Sequence, residues 1–112
     1  RADAARLAVL LACESASGDF EAPNEALHAA GAAQQAGFAE VVAATLPVRD
    51  SSVVPFVTRL YAAVAAEPMD GEFALVVARA VAGAVDALRL EPQYVVDPLS
   101  WVPYAHFSGR GR

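Results

Sequence analysis

The stretch "RLAVLLAC", residues 6–13, decides the fold. It is a continuous apolar run without a 3.6-residue period, and the polar loop "ESASGDFEAPN", residues 14–24, follows it. Such a run is typical of a central strand that is buried on both faces of a parallel sheet. The segment "AEVVAATL", residues 39–46, is rich in valine and free of glycine and proline, and it predicts a second strand of the same kind.

Three helices are predicted from caps and apolar spacing. The first runs between Asn24, which can cap its start, and Gly37, which can end it in the left-handed conformation. Its small-residue stripe predicts close packing on a sheet and consists of Leu27, Ala30, Gly31 and Gln34.

The second helix follows Pro47 and has Pro55 in its first turn. Its candidate caps are Asp50, Ser51 and Ser52, and its apolar face is Val53, Val57, Leu60, Tyr61 and Val64. The third helix, capped by Asp70, has the most regular stripe: Phe73, Val76, Val77, Ala80, Val81, Ala84, Val85 and Leu88.

A closing strand is predicted in "LSWVPYAHF", residues 99–107, after the loop "EPQYVVDP", and Pro103 marks the start of this strand or a sheet edge. The order of elements predicts an α/β fold with a parallel sheet and helices packed on it. Two crossovers alone leave unprotected sheet edges, so we expect residues 1–109 to be part of a larger domain that needs upstream strands. Residues 110–112 are expected to be a tail.

Composition excludes several classes of protein. The chain has 112 residues, of which 56% are hydrophobic and 19% charged, and its net charge is −5. This composition is too apolar for a disordered chain and too interrupted by charge for a membrane span. The acidic balance argues against nucleic-acid and anionic-membrane partners, because these need clustered Lys and Arg. The single cysteine excludes an internal disulfide framework and a multi-cysteine zinc site.

The first residues allow two interpretations. The chain opens with Arg1 and not Met, which favours a fragment or a processed product. The run before Cys13 also resembles the end of a lipoprotein signal, but residues 7–12 are too short for its apolar region, and Asp3 lies where positive charge is needed. We therefore favour the buried strand, and we expect the protein to be cytoplasmic.

Cys13 is the first candidate for chemistry. It lies at the predicted carboxyl end of a parallel strand, which is where open α/β sheets place their binding crevices. A neighbouring histidine there would hold the sulfur as a thiolate for attack on a carbonyl. From position alone, a small buried side chain is the commoner alternative.

The residues around Cys13 resemble the CHAT domain, a caspase-like domain often found behind tetratricopeptide repeats. The run "LAVLLACESASG" is similar to the family's strand and "L-S-A-C-E-T-A" loop. The segment "NEALHAAGAAQQAGFAEVVAATLPVRD" is similar to its helix, turn and "VVGTLWPVDD" strand. "FVTRLYAAV" and "WVPYAHFSG" are similar to its next helix and closing strand, so the resemblance spans about residues 6–109.

The resemblance implies the C-terminal half of a cysteine endopeptidase related to caspases and separase, with a protein or peptide as substrate and no cofactor. By this analogy Cys13 is the nucleophile, and its backbone N–H helps to form an oxyanion hole. The loop Glu14–Asn24 would border the cleft, which makes Glu14 an expected substrate-binding residue. Asp50 matches the second acid of the family's "V-D-D" and is the other expected substrate-binding residue, in the specificity pocket. A carboxylate at Asp50 suits a basic side chain of the substrate.

The chain also departs from the family pattern. The family's histidine base would lie before Arg1, and His28 and His106 are expected to be partly buried, hydrogen-bonded side chains. Leu46-Pro47 replaces the family's Leu-Trp-Pro, and Arg49 replaces an acid of the family. Arg49 would pair with Asp50 or neutralise the pocket.

Other sites are weaker. The irregular spacing of Glu14, Asp19 and Glu21 favours a solvated acidic loop over a metal site. No glycine-rich phosphate loop opens a helix, and the aromatic residues near the C-terminus, Trp101, Tyr104 and Phe107, are expected in the core.

Two other classes of function stay open at this point. One is a non-catalytic CHAT-like module that binds proteins beside helical repeats, and the other is an ordinary doubly wound binding domain with an incidental cysteine. A His-Gly pair upstream would favour the enzyme over the non-catalytic module. A reactive thiol would favour the enzyme over the binding domain with an incidental cysteine.

Overall fold

A computed structural model describes residues 6–11, 22–46, 48–67 and 72–108, with side chains in the first helix described from residue 28 onward. The elements are β1 (Leu7–Leu10), α1 (Ala22–Gln35), β2 (Glu40–Ala44), α2 (Asp50–Ala66), α3 (Phe73–Arg89), a short 3-10 helix (Pro98–Ser100) and β3 (Tyr104–Ser108). The predicted α/β class and the predicted order of strands and helices are confirmed.

The described sheet has three strands in the order β1-β2-β3. β1 and β2 are parallel, as predicted, with Leu10 opposite Ala43. β3 is antiparallel to β2, with Tyr104 opposite Ala44, so the sheet is mixed. The carboxyl ends of β1 and β2 and the start of β3 therefore meet at one edge, which we call the carboxyl edge.

Helices cover both faces of this sheet. Val42 and Ala44 of β2 point into the main core with α2 and α3, while Val41 and Ala43 point into a smaller core with Ala30 of α1. This alternation follows from the two-residue period of a strand and explains why the whole of β2 is buried. β2 is thus the central strand of the described sheet.

β1 differs from the prediction in its environment. Leu7, Ala8 and Val9 are half-buried, and Leu10 is exposed, because β1 is at an edge of the described sheet with a neighbour on one side only. The expectation of a central strand buried on both faces is therefore not met within the described residues.

The helix boundaries are close to the predicted ones. α1 begins at Ala22, so Asn24 lies inside the helix and does not cap it, whereas Gly37 has the predicted positive φ of 117°. α3 begins at Phe73 after Glu72, and Asp70 lies outside the described residues. The predicted stripe of α3 is confirmed, with six of its residues buried: Val76, Val77, Ala80, Val81, Ala84 and Leu88.

α2 corrects two predictions. Its buried residues include Phe56 and Leu60, whereas Tyr61 is exposed because a step of one residue rotates it about 100° from Leu60. Pro55 is the sixth residue of the helix and not part of its first turn. Proline has no N–H for the Ser51 carbonyl, and the Tyr94 hydroxyl donates to that oxygen instead at 2.8 Å.

The closing strand is shorter than predicted. Residues 99–102 form the end of the 3-10 helix and a turn, and the strand starts at Tyr104, directly after Pro103. The aromatic residues behave as expected: Tyr104 is buried and stacks on Phe56 with ring centroids 3.6 Å apart, and Trp101 and Phe107 pack partly buried against the two cores.

Candidate functional site

The carboxyl edge brings together three chain segments. β1 ends there at Leu10, β2 is followed there by Thr45 and Leu46, and β3 is preceded there by Pro103. The backbone N–H and the hydroxyl of Thr45 both donate to the Pro103 carbonyl, at 2.8 and 3.1 Å. These two bonds fix the end of β2 against the segment that leads into β3.

The predicted site residues are only partly within the described structure. Cys13 and Glu14 lie outside the described residues, although Cys13 is the third residue after Leu10 in the sequence. Asp50 is described: it is exposed and is the first residue of α2, which starts beyond this same edge. An acidic residue in the first turn interacts favourably with the helix dipole.

Arg49, directly before Asp50, has a defined partner. Its Nε donates to both carboxylate oxygens of Asp97, at 3.2 and 2.9 Å. The hydrogen bond from Arg49 and its nearby charge hold the pKa of Asp97 below the ordinary 3.8, against a smaller opposing effect of burial. Sequence reasoning expected Arg49 either to pair with Asp50 or to neutralise the pocket, and it missed Asp97, which is 48 residues further along the chain.

Backbone and side-chain hydrogen bonds hold the start of α2 in place. The Arg49 N–H donates to the Leu99 carbonyl at 3.3 Å, and the Ser52 hydroxyl donates to the Arg49 carbonyl at 3.1 Å. Ser52 is fully buried and shares a hydrogen bond of 2.9 Å with the Tyr104 hydroxyl. The backbone around Asp50 is therefore held by residues of the 3-10 turn and of β3.

The two histidines differ. His28 is exposed on α1, so its expected partial burial is wrong, because the small residues Ala30 and Ala33 form the sheet-facing side of that helix. His106 is partly buried and hydrogen-bonded as expected: its Nε2 is 2.7 Å from Oε1 of the buried Glu40. Glu40 is the first residue of β2, at the sheet end opposite to the carboxyl edge, and His106 lies across from Val42 in the middle of the same strand.

Glu40 is a buried polar residue that sequence reasoning also missed. Its second carboxylate oxygen accepts a hydrogen bond from Ser108 at 3.2 Å. The only signal in the sequence is an acid at the start of an otherwise apolar strand, and its partners are 66 and 68 residues further along the chain.

Across residues 6–11, 22–46, 48–67 and 72–108, His, Cys, Asp and Glu side chains form no group of three that would hold a metal ion. The described helices include none with the length and hydropathy needed to cross a bilayer.

Comparison with known protein families gives a match. The family model described as CHAT domain matches residues 1–110, which includes every predicted site residue. No curated protein and no solved structure matches the chain. CHAT domains are peptidase-related domains of the caspase-like type, in agreement with the resemblance noted from the motifs.

Proposed function

The chain belongs to the CHAT domain family, and from this membership we propose that it is the C-terminal half of a caspase-like cysteine endopeptidase. The observation that carries the proposal is the match of the family model across residues 1–110, which covers the Cys13 loop as well as the described sheet and helices. The substrate is a protein or peptide, and the protein is cytoplasmic, with helical repeats as neighbours in the same polypeptide.

The proposed reaction starts at the sulfur of Cys13. A histidine supplied by a preceding segment takes the thiol proton, and the thiolate attacks the carbonyl carbon of the scissile peptide bond. The C–S bond forms, the developing oxyanion is stabilised by the Cys13 backbone N–H, and the C–N bond breaks as the histidine protonates the leaving amine. Water, activated by the same histidine, then hydrolyses the thioester and restores the thiol.

The carboxyl edge supports this assignment. Crevices of open α/β sheets lie outside the carboxyl ends of parallel strands, and the sequence reaches Cys13 three residues after the last residue of β1. Asp50 begins α2 beyond the end of the adjacent strand, β2. We propose that Glu14 and Asp50 bind the substrate and that Asp50 accepts a basic side chain.

The experiment compares peptide cleavage by the full-length protein that contains this chain with cleavage by its Cys13→Ala variant. The proposal predicts loss of cleavage in Cys13→Ala and unchanged cleavage in His28→Ala, because His28 is exposed on α1 and is not the proposed base. Equal rates for the wild type and Cys13→Ala would remove Cys13 from the nucleophile role. Loss of activity in the folded His28→Ala variant would contradict the assignment of an upstream base.

A non-catalytic protein-binding module of the same family is the second candidate. It is favoured by Arg49 at a position where the family has an acid, and by Leu46-Pro47 in place of Leu-Trp-Pro. The preceding coding sequence separates the two candidates: a His-Gly pair at the end of an upstream apolar strand supports the enzyme, and its absence supports the module.

A further inference from the structure

Pro55 interrupts the backbone hydrogen bonds near the start of α2, the helix that begins with Asp50. In an α-helix the carbonyl of residue 51 accepts a hydrogen bond from the N–H of residue 55, four residues later. Proline has no N–H, so the Ser51 carbonyl has no such donor in its own helix. A missing backbone bond weakens the turn to which it belongs unless another group donates to the carbonyl.

The Tyr94 hydroxyl takes the place of the missing N–H. It donates to the Ser51 carbonyl at 2.8 Å from the turn that follows α3. Tyr94 is buried, and its own backbone carbonyl accepts hydrogen bonds from the Asp97 N–H at 2.9 Å and from Nε1 of Trp101 at 3.1 Å. Burial and these two bonds hold the tyrosine, so its hydroxyl is already directed at Ser51 in the folded protein.

The bond from Tyr94 reaches the backbone directly beside Asp50. Ser51 follows Asp50 in the chain, and consecutive Cα atoms are about 3.8 Å apart. On the other side of Asp50, the Arg49 carbonyl accepts from the N–H of Ser52 at 3.0 Å and from its hydroxyl at 3.1 Å. Asp50 therefore lies between two residues whose carbonyls are both held, and Tyr94 holds one of them from outside α2.

An ordered backbone at this point is important for the proposed role of Asp50. A carboxylate binds a guanidinium most strongly through two parallel hydrogen bonds, which require a defined direction. Binding costs less conformational entropy where the residue that carries the carboxylate is already ordered. A weakened first turn would lose part of this advantage without any change of charge.

We propose that Tyr94 is a positioning residue for the substrate site: through the Ser51 carbonyl it fixes the start of α2, so that Asp50 is ordered for an arginine or lysine side chain of a peptide. This inference rests on the proposed role of Asp50 and adds a residue from the turn after α3. Because Tyr94 acts through the backbone of α2, its substitution should alter the binding of a basic side chain and not the chemistry at Cys13.

Tyr94→Phe is the variant that tests this role. It removes the hydroxyl, keeps the aromatic ring and changes no charge at neutral pH. It should lower the preference for a basic peptide by up to about fivefold, the ratio that corresponds to one neutral hydrogen bond. Pro55→Ala provides a backbone N–H for the Ser51 carbonyl, so Tyr94→Phe should lower the preference much less in that background.

Ser108→Ala is the matched control. It also removes one side-chain hydroxyl, which donates to the buried Glu40 at 3.2 Å. Ser108 lies opposite Glu40 at the sheet end away from the carboxyl edge, so it has no part in holding the start of α2. The control should lower the stability of the protein but leave the peptide preference unchanged.

The experiment measures binding by calorimetry at low salt, using the full-length protein with Cys13→Ala so that peptides are not cleaved. The probes are two peptides that differ only in arginine against citrulline, its neutral isostere, and the readout is the ratio of their affinities. The expected result is a wild-type preference for arginine that Asp50→Asn abolishes, that Tyr94→Phe lowers and that Pro55→Ala largely protects from Tyr94→Phe.

The outcomes separate this inference from the proposals on which it rests. An arginine preference that is absent, or that survives Asp50→Asn, overturns the role of Asp50 and this inference together. Where Asp50→Asn does abolish the preference, an unchanged ratio in Tyr94→Phe, or an equal fall in Ser108→Ala, overturns the role of Tyr94 alone. Cleavage by the protein with Cys13 intact is followed in parallel and tests the peptidase assignment separately.

The double variant Pro55→Ala/Tyr94→Phe decides the question if Tyr94→Phe alone does not fold. A folded double variant that keeps the ratio of Pro55→Ala supports the inference, because the restored N–H then replaces the hydroxyl. A folded double variant whose ratio falls well below that of Pro55→Ala contradicts it, because the Ser51 carbonyl is then not the group through which Tyr94 acts.

Discussion

His106→Ala should destabilise the protein far more than the loss of a surface ion pair. Nε2 of His106 is 2.7 Å from Oε1 of Glu40, whose side chain is only 5% exposed. Removal of the imidazole leaves the bond from Ser108 at 3.2 Å as the described side-chain contact of the Glu40 carboxyl group. Glu40 also pairs with residues of both neighbouring strands, so it cannot turn outward without disturbing the central strand.

The magnitude follows from burial. A hydrogen bond to a charged group contributes about 1.5–3 kcal/mol, and breaking a buried pair costs about 3–5 kcal/mol, so we expect a loss of about 3 kcal/mol. For a domain of this size that corresponds to a fall in Tm of roughly 10–20 °C. Adding Glu40→Gln should recover about 1–2 kcal/mol, because a buried neutral amide costs less than a buried carboxylate without its partner.

Urea unfolding followed by circular dichroism measures these values. The control is Arg89→Ala, which removes a contact of nearly the same length, 2.8 Å to Asp86, between side chains that are 47% and 62% exposed. That variant should lose less than about 1 kcal/mol. The reasoning is refuted if His106→Ala costs no more than Arg89→Ala, or if Glu40→Gln makes the His106→Ala variant less stable still.

Two further predictions concern the start of α2. Tyr94→Phe removes the donor to the Ser51 carbonyl and should lower the free energy of unfolding in urea by about 1 kcal/mol. The loss should be smaller in a Pro55→Ala background, because the backbone N–H gained by that substitution can bond to the same carbonyl. An equal loss in both backgrounds would contradict this explanation. The pKa of Asp97 is lowered in the folded state, so its contribution to stability is present above pH 3.8 and is lost as the pH falls through the lower folded value. Asp97→Asn should therefore weaken the pH dependence of the free energy of unfolding below about pH 4, whereas Glu91→Gln tests whether any acidic residue of this turn has the same effect.

Strands and helices could be predicted from the sequence where a local pattern of residues indicates them. The apolar runs predicted β1 and β2, and the regular stripe of α3 identified its buried face, because periodicity reports directly on which side is covered. The left-handed Gly37 also has a local cause, since glycine adopts positive φ without strain. Tyr61 was wrongly assigned to the apolar face of α2, because a helix face that is taken one residue too wide includes side chains that point to solvent.

The features that could not be predicted from the sequence depend on contacts between residues far apart in the chain. The partners of Glu40 and the pairing of Arg49 with Asp97 join residues from 48 to 68 positions apart, and the direction of β3 depends on pairing over similar separations. One distant contact had a local signal: a proline in the sixth position of α2 leaves the Ser51 carbonyl without its helical donor, so a partner was required. The identity of that partner, Tyr94, still needed the fold.

Covalent trapping tests the nucleophile itself. The full-length protein is incubated with a peptide that carries a thiol-reactive electrophile in place of the scissile bond and arginine before it, and the adduct is located by mass spectrometry of the digested protein. Because Cys13 is the single cysteine of these 112 residues, its modification here is unambiguous. We predict one adduct at Cys13 that forms faster than with a free thiol, and we expect this rate advantage to be lost when the protein is unfolded before labelling. A folded protein whose Cys13 stays unmodified, or reacts no faster than a free thiol, contradicts the assignment.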